Sequence, residues 1–363
     1  MVLARSCLIA RGSIGTVPAV HLGLLSLGDN LTDPVTGVRM SPAEKFRSLV
    51  EQGVLAEQAG FTSVHLGEHH FCDYILSSPQ VVLAAIGERT SRIKLSTGVI
   101  LGANLDPVRV AEDYATIDLL SDGRVEPVIG RGTFFPHTFA SFGQDPATAK
   151  EVFAENLELL LRIWETDGPV TWTGRFRAPL HEITVEPRPM QRPRPQVWLG
   201  AGSSKDSVEL AARLGLWLIV PTVFGTPAQF RPMVDHYLAC WDAAGRDRAD
   251  ARIGAVSHCH VNRTAELARR TWEPRYTTYM NWVTDFIARG MGASSVPPFD
   301  YDATVRDMAV VGSPAEVVDR IGQMRDLLHL DTHLVKFDMG GMPHDEVAAT
   351  IERFGAEVIP QLA

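Results

Sequence analysis

Several features that would narrow the function of this chain quickly are missing from it. No uninterrupted apolar run reaches about 18–20 residues, so no membrane span is expected. Excess basic charge is absent too: the formal net charge is −9, which argues against a general nucleic-acid binder or a binder of anionic membranes. The four cysteines, Cys7, Cys72, Cys240 and Cys259, lie far apart and form no CxxC. That pattern fits free thiols in a reducing, cytoplasmic compartment better than a disulfide framework. There is no HExxH, and the first strand candidate is not followed by the GxGxxG turn of a dinucleotide-binding sheet. At the start, Arg5 and Arg11 bracket an apolar patch too short for a signal peptide. Residues 1–19 therefore read as an N-terminal extension, and 20–363 as one domain.

What is present is a regular alternation. Hydrophobic residues make up 45% and charged residues 21% of 363 residues, the balance of a soluble globular protein long enough for a barrel with insertions. Short β-rich runs at 20–28, 63–67, 93–101, 124–130, 196–202, 216–221, 251–261 and 333–341 are separated by helical patterns. Ser41-Pro42, Asp106-Pro107 and Ser313-Pro314 read as helix starts, and Gly60 and Gly215 as helix stops. Eight strands with interleaved helices predict a closed (β/α)8 TIM barrel rather than an open doubly wound sheet. Two insertions exceed what a barrel needs. Residues 167–195, after the fourth strand, are rich in proline and aromatics and read as a hairpin or loop excursion. Residues 266–305, after the seventh, carry Trp272, Tyr276, Tyr279, Trp282, Phe286 and Phe299, a composition that suits helix packing or a substrate wall.

Active sites of such barrels lie at the carboxyl ends of the strands. The second strand ends in Glu68-His69-His70-Phe71, where histidine can donate or accept near neutral pH and a carboxylate can bias it. Adjacent residues of a strand point to opposite faces, so His69 and His70 are not expected to chelate a metal together. The third strand is interrupted by Ser96, Thr97 and Gly98, which marks either a barrel bend or a close approach by a ligand. Arg131, between two glycines at the end of the fourth strand, suits a phosphate or carboxylate. After the fifth strand, Gly200, Gly202, Ser203, Ser204 and Ser207 open a helix, whose first amides and dipole suit an anion. His258 and His260 share a face of the seventh strand and Asp338 follows the eighth, a set a metal-dependent hydrolase could use. The fifth and sixth strands offer no histidine, which disfavours that reading.

Taken together, "GFTSVHLGEHHF", "RTSRIKLSTGVILGANLDPVRVAEDYATIDLLSDGRVEPVIGRG" and "VWLGAGSSKDSVELAARLGL" resemble the bacterial luciferase-like flavin monooxygenase family. The likeness runs from about His21 to the C-terminus and is strongest over 60–145. It implies a (β/α)8 barrel that binds FMN, reduced by a separate flavin reductase, and activates O2 as a flavin peroxide that oxygenates an organic substrate. By motif, His69 matches the active-site histidine, with Glu68 in support and His70 structural. Arg131, Ser204 and Ser207 match positions that hold the FMN phosphate. Thr97, Gly98 and Val99 match the segment under the flavin ring, where a cis peptide is expected at Gly98–Val99. Gly130 stands where the family luciferases carry a reactive cysteine, which weakens any expectation of light emission. The resemblance also implies a homodimer through barrel helices. Two other readings share the barrel: a deazaflavin-dependent hydride-transfer oxidoreductase, and a non-catalytic flavin-binding subunit. The aromatic content of 266–305 and 133–139 points to an apolar or aromatic substrate.

Overall fold

The computed structural model describes residues 19–132, 136–202, 204–290, 292 and 299–362. The N-terminal extension up to residue 18 and Ser203 lie outside the described residues. The chain runs β1 (His21–Ser26), α1 (Pro42–Gln58), β2 (Ser63–Leu66), α2 (Pro79–Gly87), β3 (Lys94–Thr97), β4 (Ile100–Leu101), α3 (Pro107–Leu120), β5 (Val128–Gly130), α4 (Pro136–Ser141) and α5 (Ala149–Glu165). It continues through β6 (Val170–Trp172), β7 (Leu180–Ile183), β8 (Trp198–Gly200), α6 (Lys205–Leu214), β9 (Trp217–Val220), α7 (Pro227–Ala243), β10 (Ile253–Val261) and α8 (Ala265–Gly290). It ends with α9 (Tyr301–Asp307), β11 (Val310–Gly312), α10 (Pro314–Leu328), β12 (Thr332–Lys336), α11 (His344–Glu357) and α12 (Ile359–Leu362).

Helix starts follow the cap chemistry of the sequence. Ser41 and Glu44 form a reciprocal capping box at α1, as do Ser313 and Glu316 at α10, each with proline in the first turn. At α3 the Asp106 carboxylate accepts from the Val108 amide at 2.8 Å. Each of these caps satisfies amides that would otherwise be orphaned.

The main sheet is parallel in the order β3-β2-β1-β12-β10-β9-β8-β5-β4. Its two ends, β3 and β4, are separated only by Gly98 and Val99, so they are two halves of one barrel stave. β3 pairs with β2, β4 pairs with β5, and a bridge from Leu95 to Val125 links the lower half to the segment that leads into β5. Nine strand segments thus make eight staves, the (β/α)8 TIM barrel the alternation predicts. Inside it, Leu25, Val128, Trp198, Ile219 and Leu334 form an apolar plug distinct from the larger core between sheet and helices.

Three details depart from the sequence reading. The strand expected over 124–130 is regular only over Val128–Gly130: Arg124 and Glu126 pair with Leu95 as an isolated bridge, and Pro127 has no amide to continue the ladder. An additional strand, β11, pairs with the upper half of β10 outside the barrel order. The start of α2, with Pro79 in its first turn, is not among the helix starts named from the sequence. The 167–195 excursion forms the antiparallel β6–β7 hairpin. The 266–305 insertion is mostly α8, tied down by Arg275. The Arg275 guanidinium donates to both carboxylate oxygens of Asp33, at 2.9 and 3.1 Å, and to Glu346 at 2.7 and 2.8 Å.

Candidate active site

A cavity of about 220 Å³ opens at the carboxyl ends of the strands, above the apolar plug. Its two sides differ in kind: one is built of Gly98, just before β4, and of glycines on β5 and β8, the other largely of polar side chains on β10, β12 and α8.

The motif after β2 joins the two sides. The strand ends at Leu66, so Glu68, His69 and His70 are not in strand geometry. The expectation that the two histidines point to opposite faces fails for that reason, and both line the cavity. A side chain at Gly67 would put a Cβ 2.6 Å from the Gly98 carbonyl oxygen, so only glycine lets the two backbones approach this closely. Across that contact the Glu68 amide donates to the Val99 carbonyl at 3.0 Å. One oxygen of its carboxylate accepts from the Leu101 amide at 2.9 Å, and the other lies 2.8 Å from His70 Nε2. Glu68, 3% exposed, therefore bolts the end of β2 to β4 across the interrupted stave and fixes His70. The His69 ring lies 4.5 Å from that of Tyr74. Burial pushes its pKa down to about 3, with His70 and Lys336 acting in the same sense and a hydrogen bond with the Gly67 backbone opposing. His69 is thus a neutral imidazole at neutral pH.

On the glycine side, the Gly98–Val99 peptide is cis, as the resemblance implies. Val99 packs where a Cβ on Gly130 or Gly200 would lie, 2.7 and 2.9 Å from its methyls. Gly98 and Val99 line the cavity; Thr97 is not among its lining residues. The Thr97 hydroxyl donates to the Val128 carbonyl at 2.7 Å and accepts from the Val128 amide at 3.0 Å, stitching β3 to β5. Arg131, Gly202, Ser204 and Ser207 converge on the cavity at the start of α6. Ser204 caps that helix by accepting from the Ser207 amide at 3.3 Å. Arg131 Nε is buried and, among the described residues, has no hydrogen-bond partner. A guanidinium facing a helix N-terminus, with a donor unused, is what an anionic ligand needs.

The opposite side holds residues that the sequence reading did not single out. Lys336 is 1% exposed and lines the cavity. Its ammonium lies 4.6 Å from the centre of the Tyr279 ring and donates to the Asp338 carbonyl at 2.9 Å. The Tyr279 and Tyr74 hydroxyls are 2.6 Å apart. Asp338 accepts from Ser26 at 2.5 Å and from Lys45 at 3.1 Å. Burial alone would raise the Asp338 carboxyl, but Lys336, Lys45 and Ser26 hold it below its ordinary value. Burial also pulls the Lys336 ammonium down, against the field of Asp338 and Asp29. His258 pairs with the Tyr276 hydroxyl at 3.0 Å, and Asp338 is engaged by lysine. Among the described residues no group of three or more His, Cys, Asp or Glu could hold a metal ion. The available signal was a lysine two positions after Leu334, at an inward-facing register of the last barrel strand.

Fold and cavity define a (β/α)8 barrel with Arg131 and the start of α6 at one end of its mouth and a polar, buried corner at the other. Residues 20–329 match the family model for luciferase-like monooxygenases, and the chain belongs to that family. It is 23% identical, over 87% of its length and 89% of the relative's, to the oxygenase component of a flavin-dependent trigonelline monooxygenase of Acinetobacter baylyi. It is 30% identical, over 88% of its length and 96% of the relative's, to an F420-dependent glucose-6-phosphate dehydrogenase of Intrasporangium calvum. The crystal structure of the monooxygenase RslO1 from Streptomyces bottropensis superposes with a TM-score of 0.82 at 27% identity, covering 95% of this chain and all of that one. Among the described residues no helix is long and apolar enough to cross a membrane.

Proposed function

We propose that the protein is a flavin-dependent monooxygenase that takes reduced FMN into this cavity and uses O2 to oxygenate an apolar or aromatic organic substrate. The observation that carries this reading is the buried Arg131 Nε, without a partner among the described residues, at the start of α6. Arg131, Ser204, Ser207 and the first amides of α6 would hold the phosphate, and Gly98, Val99 and Gly130 would underlie the ring. When bound, the reduced cofactor supplies the electrons that activate O2. The chain's own part is to position, to exclude water and to handle protons. Val223, Phe224, Val283 and Ile287 line the cavity with apolar groups that would help to exclude water. His69, neutral, can give or accept a hydrogen bond at the reacting face, and Glu68 holds the backbone that carries it. The name of the Acinetobacter relative, an oxygenase component, supports a separate reductase as partner.

A second reading, hydride transfer with a deazaflavin, is favoured by the name of the Intrasporangium relative. One titration distinguishes the two. Purified protein is mixed with FMN, reduced FMN and F420, and binding and O2 uptake are followed. Reduced FMN is expected to bind and to support O2 uptake, and Arg131→Met to weaken FMN binding by about tenfold to a hundredfold. His69→Ala is expected to keep FMN affinity and divert O2 to H2O2; unchanged coupling would remove His69 from its role. Binding of F420 in place of FMN, without O2 uptake, would establish the second reading.

A further inference from the structure

Among the described residues, the acidic side chain lining the cavity is Glu68, and both its oxygens are taken by Leu101 and His70. Two basic side chains line it as well: Arg131 at the glycine side and Lys336 at the other. Beneath Lys336 lies a buried cluster of two lysines and two acids, Lys336 and Lys45 with Asp338 and Asp29. Lys336 and Lys45 are 1% and 3% exposed, and both turn to one carboxylate, Asp338, at 3.4 and 3.1 Å. That carboxylate also accepts from Ser26. Asp29, the next acid, spends its oxygens on the amides of Gly340, at 2.6 Å, and Leu31, at 2.9 Å, and its burial raises its pKa. Lys336, the lysine on the cavity wall, therefore has as partners a 3.4 Å contact to a carboxylate it shares with Lys45, a ring face and a carbonyl. An anionic oxygen in the cavity would add a closer counter-charge to that ammonium. The surroundings suit an aromatic ligand: the ring of Tyr279, whose hydroxyl pairs with that of Tyr74, lies 4.6 Å from the ammonium, and Val283 and Ile287 of α8 continue the wall.

We propose that Lys336 is the substrate-anchoring residue of this cavity, and that its buried ammonium pairs with an acidic oxygen, a carboxylate or phenolate, carried by an otherwise aromatic or apolar substrate. This deepens the oxygenase reading and rests on it for the word substrate. It sharpens the expected compound from apolar to amphiphilic: a ring to fill the apolar wall and one ionisable oxygen to meet Lys336. The two cations then divide the labour, Arg131 for the cofactor and Lys336 for the substrate.

The test uses isosteric probes on the full-length protein with FMN present. Binding of 2-naphthoate, 2-naphthol, 2-naphthamide and 2-methoxynaphthalene is measured by calorimetry, for wild type and Lys336→Met. An acidic probe is expected to bind about tenfold to a hundredfold tighter than its neutral isostere, and Lys336→Met to abolish that preference while FMN affinity stays unchanged. Which acid is preferred, naphthoate or naphthol, tells carboxylate from phenolate. Equal binding of acids and neutral isosteres to wild type overturns the proposal, whether or not Lys336→Met folds. So does a preference that survives in Lys336→Met, or a loss of FMN rather than probe affinity in that variant. Failure of the oxygenase reading would show separately, as absence of FMN binding and O2 uptake in wild type.

Discussion

The two sides of the cavity achieve definition by opposite means. The glycine side removes side chains: Gly98, Gly130 and Gly200 leave room that Val99 partly fills, and the strands β4, β5 and β8 contain no titratable group. The charged side packs Lys45, Lys336, Asp29 and Asp338 with Ser26 and two tyrosines into a space nearly closed to water. Backbone shape defines the first, and a buried electrostatic network the second. The first should tolerate charge changes and resist added volume. The second should tolerate little loss of any partner.

The sharpest way to break this comparison is Asp338→Ala. It leaves Lys45 and Lys336 buried without their shared carboxylate, and removal of one partner from such a pair costs about 3–5 kcal/mol. Arg131→Met, on the other side, should leave stability within about 0.5 kcal/mol, since its Nε has no hydrogen-bond partner among the described residues and its charge acts only weakly on the exposed Asp206. Urea denaturation of both variants checks this. Equal losses would mean that the two sides are not different in kind.

A second consequence is acid sensitivity. Burial depresses His258 well below its ordinary 6.5, and His260 and His333 to about 4; all three sit on β10 or β12. His65 on β2, likewise about 4, adds to the effect. Between about 6.5 and 4 the unfolded chain binds protons that the folded chain refuses, so stability falls as pH falls through that window. Each such histidine contributes a slope of about 1.4 kcal/mol per pH unit. Replacing His333, whose Nε2 lies 3.0 Å from the Ser257 hydroxyl, with Asn should remove one proton's worth of slope. Urea unfolding at pH 7, 6 and 5 reads it, and an unchanged slope would place the acid sensitivity elsewhere.

The same contrast explains what could be read from the sequence. Cap residues and strand ends are local, so Ser41-Pro42, Asp106-Pro107, Glu68-His69-His70 and Arg131 were visible as short motifs, and the barrel followed from their order. The charged side is made by pairs distant in the chain: Ser26 with Asp338, Lys45 with Asp338, Tyr74 with Tyr279. No spacing rule links such residues, and Lys336 looked like an ordinary polar position of a strand until the register turned it inward. The histidines after β2 were visible as a cluster but not in orientation, because the reading assumed a strand that had already ended at Leu66.

The smallest effect is also the most discriminating. The Tyr74 and Tyr279 hydroxyls, 2.6 Å apart, are both buried. Tyr74→Phe and Tyr279→Phe should each cost about 1 kcal/mol, because each leaves the other hydroxyl short of a partner. The double variant should cost less than the sum, with a coupling of about 1 kcal/mol, since removing both partners together strands neither. Tyr279→Phe combined with Arg131→Met, a pair with no shared partner across the cavity, should instead add within about 0.3–0.5 kcal/mol. Coupling within the charged side and additivity across the cavity would mark it as a network in its own right. Additivity within the tyrosine pair would reduce it to packing, and the case for a built polar corner beside Lys336 would weaken with it.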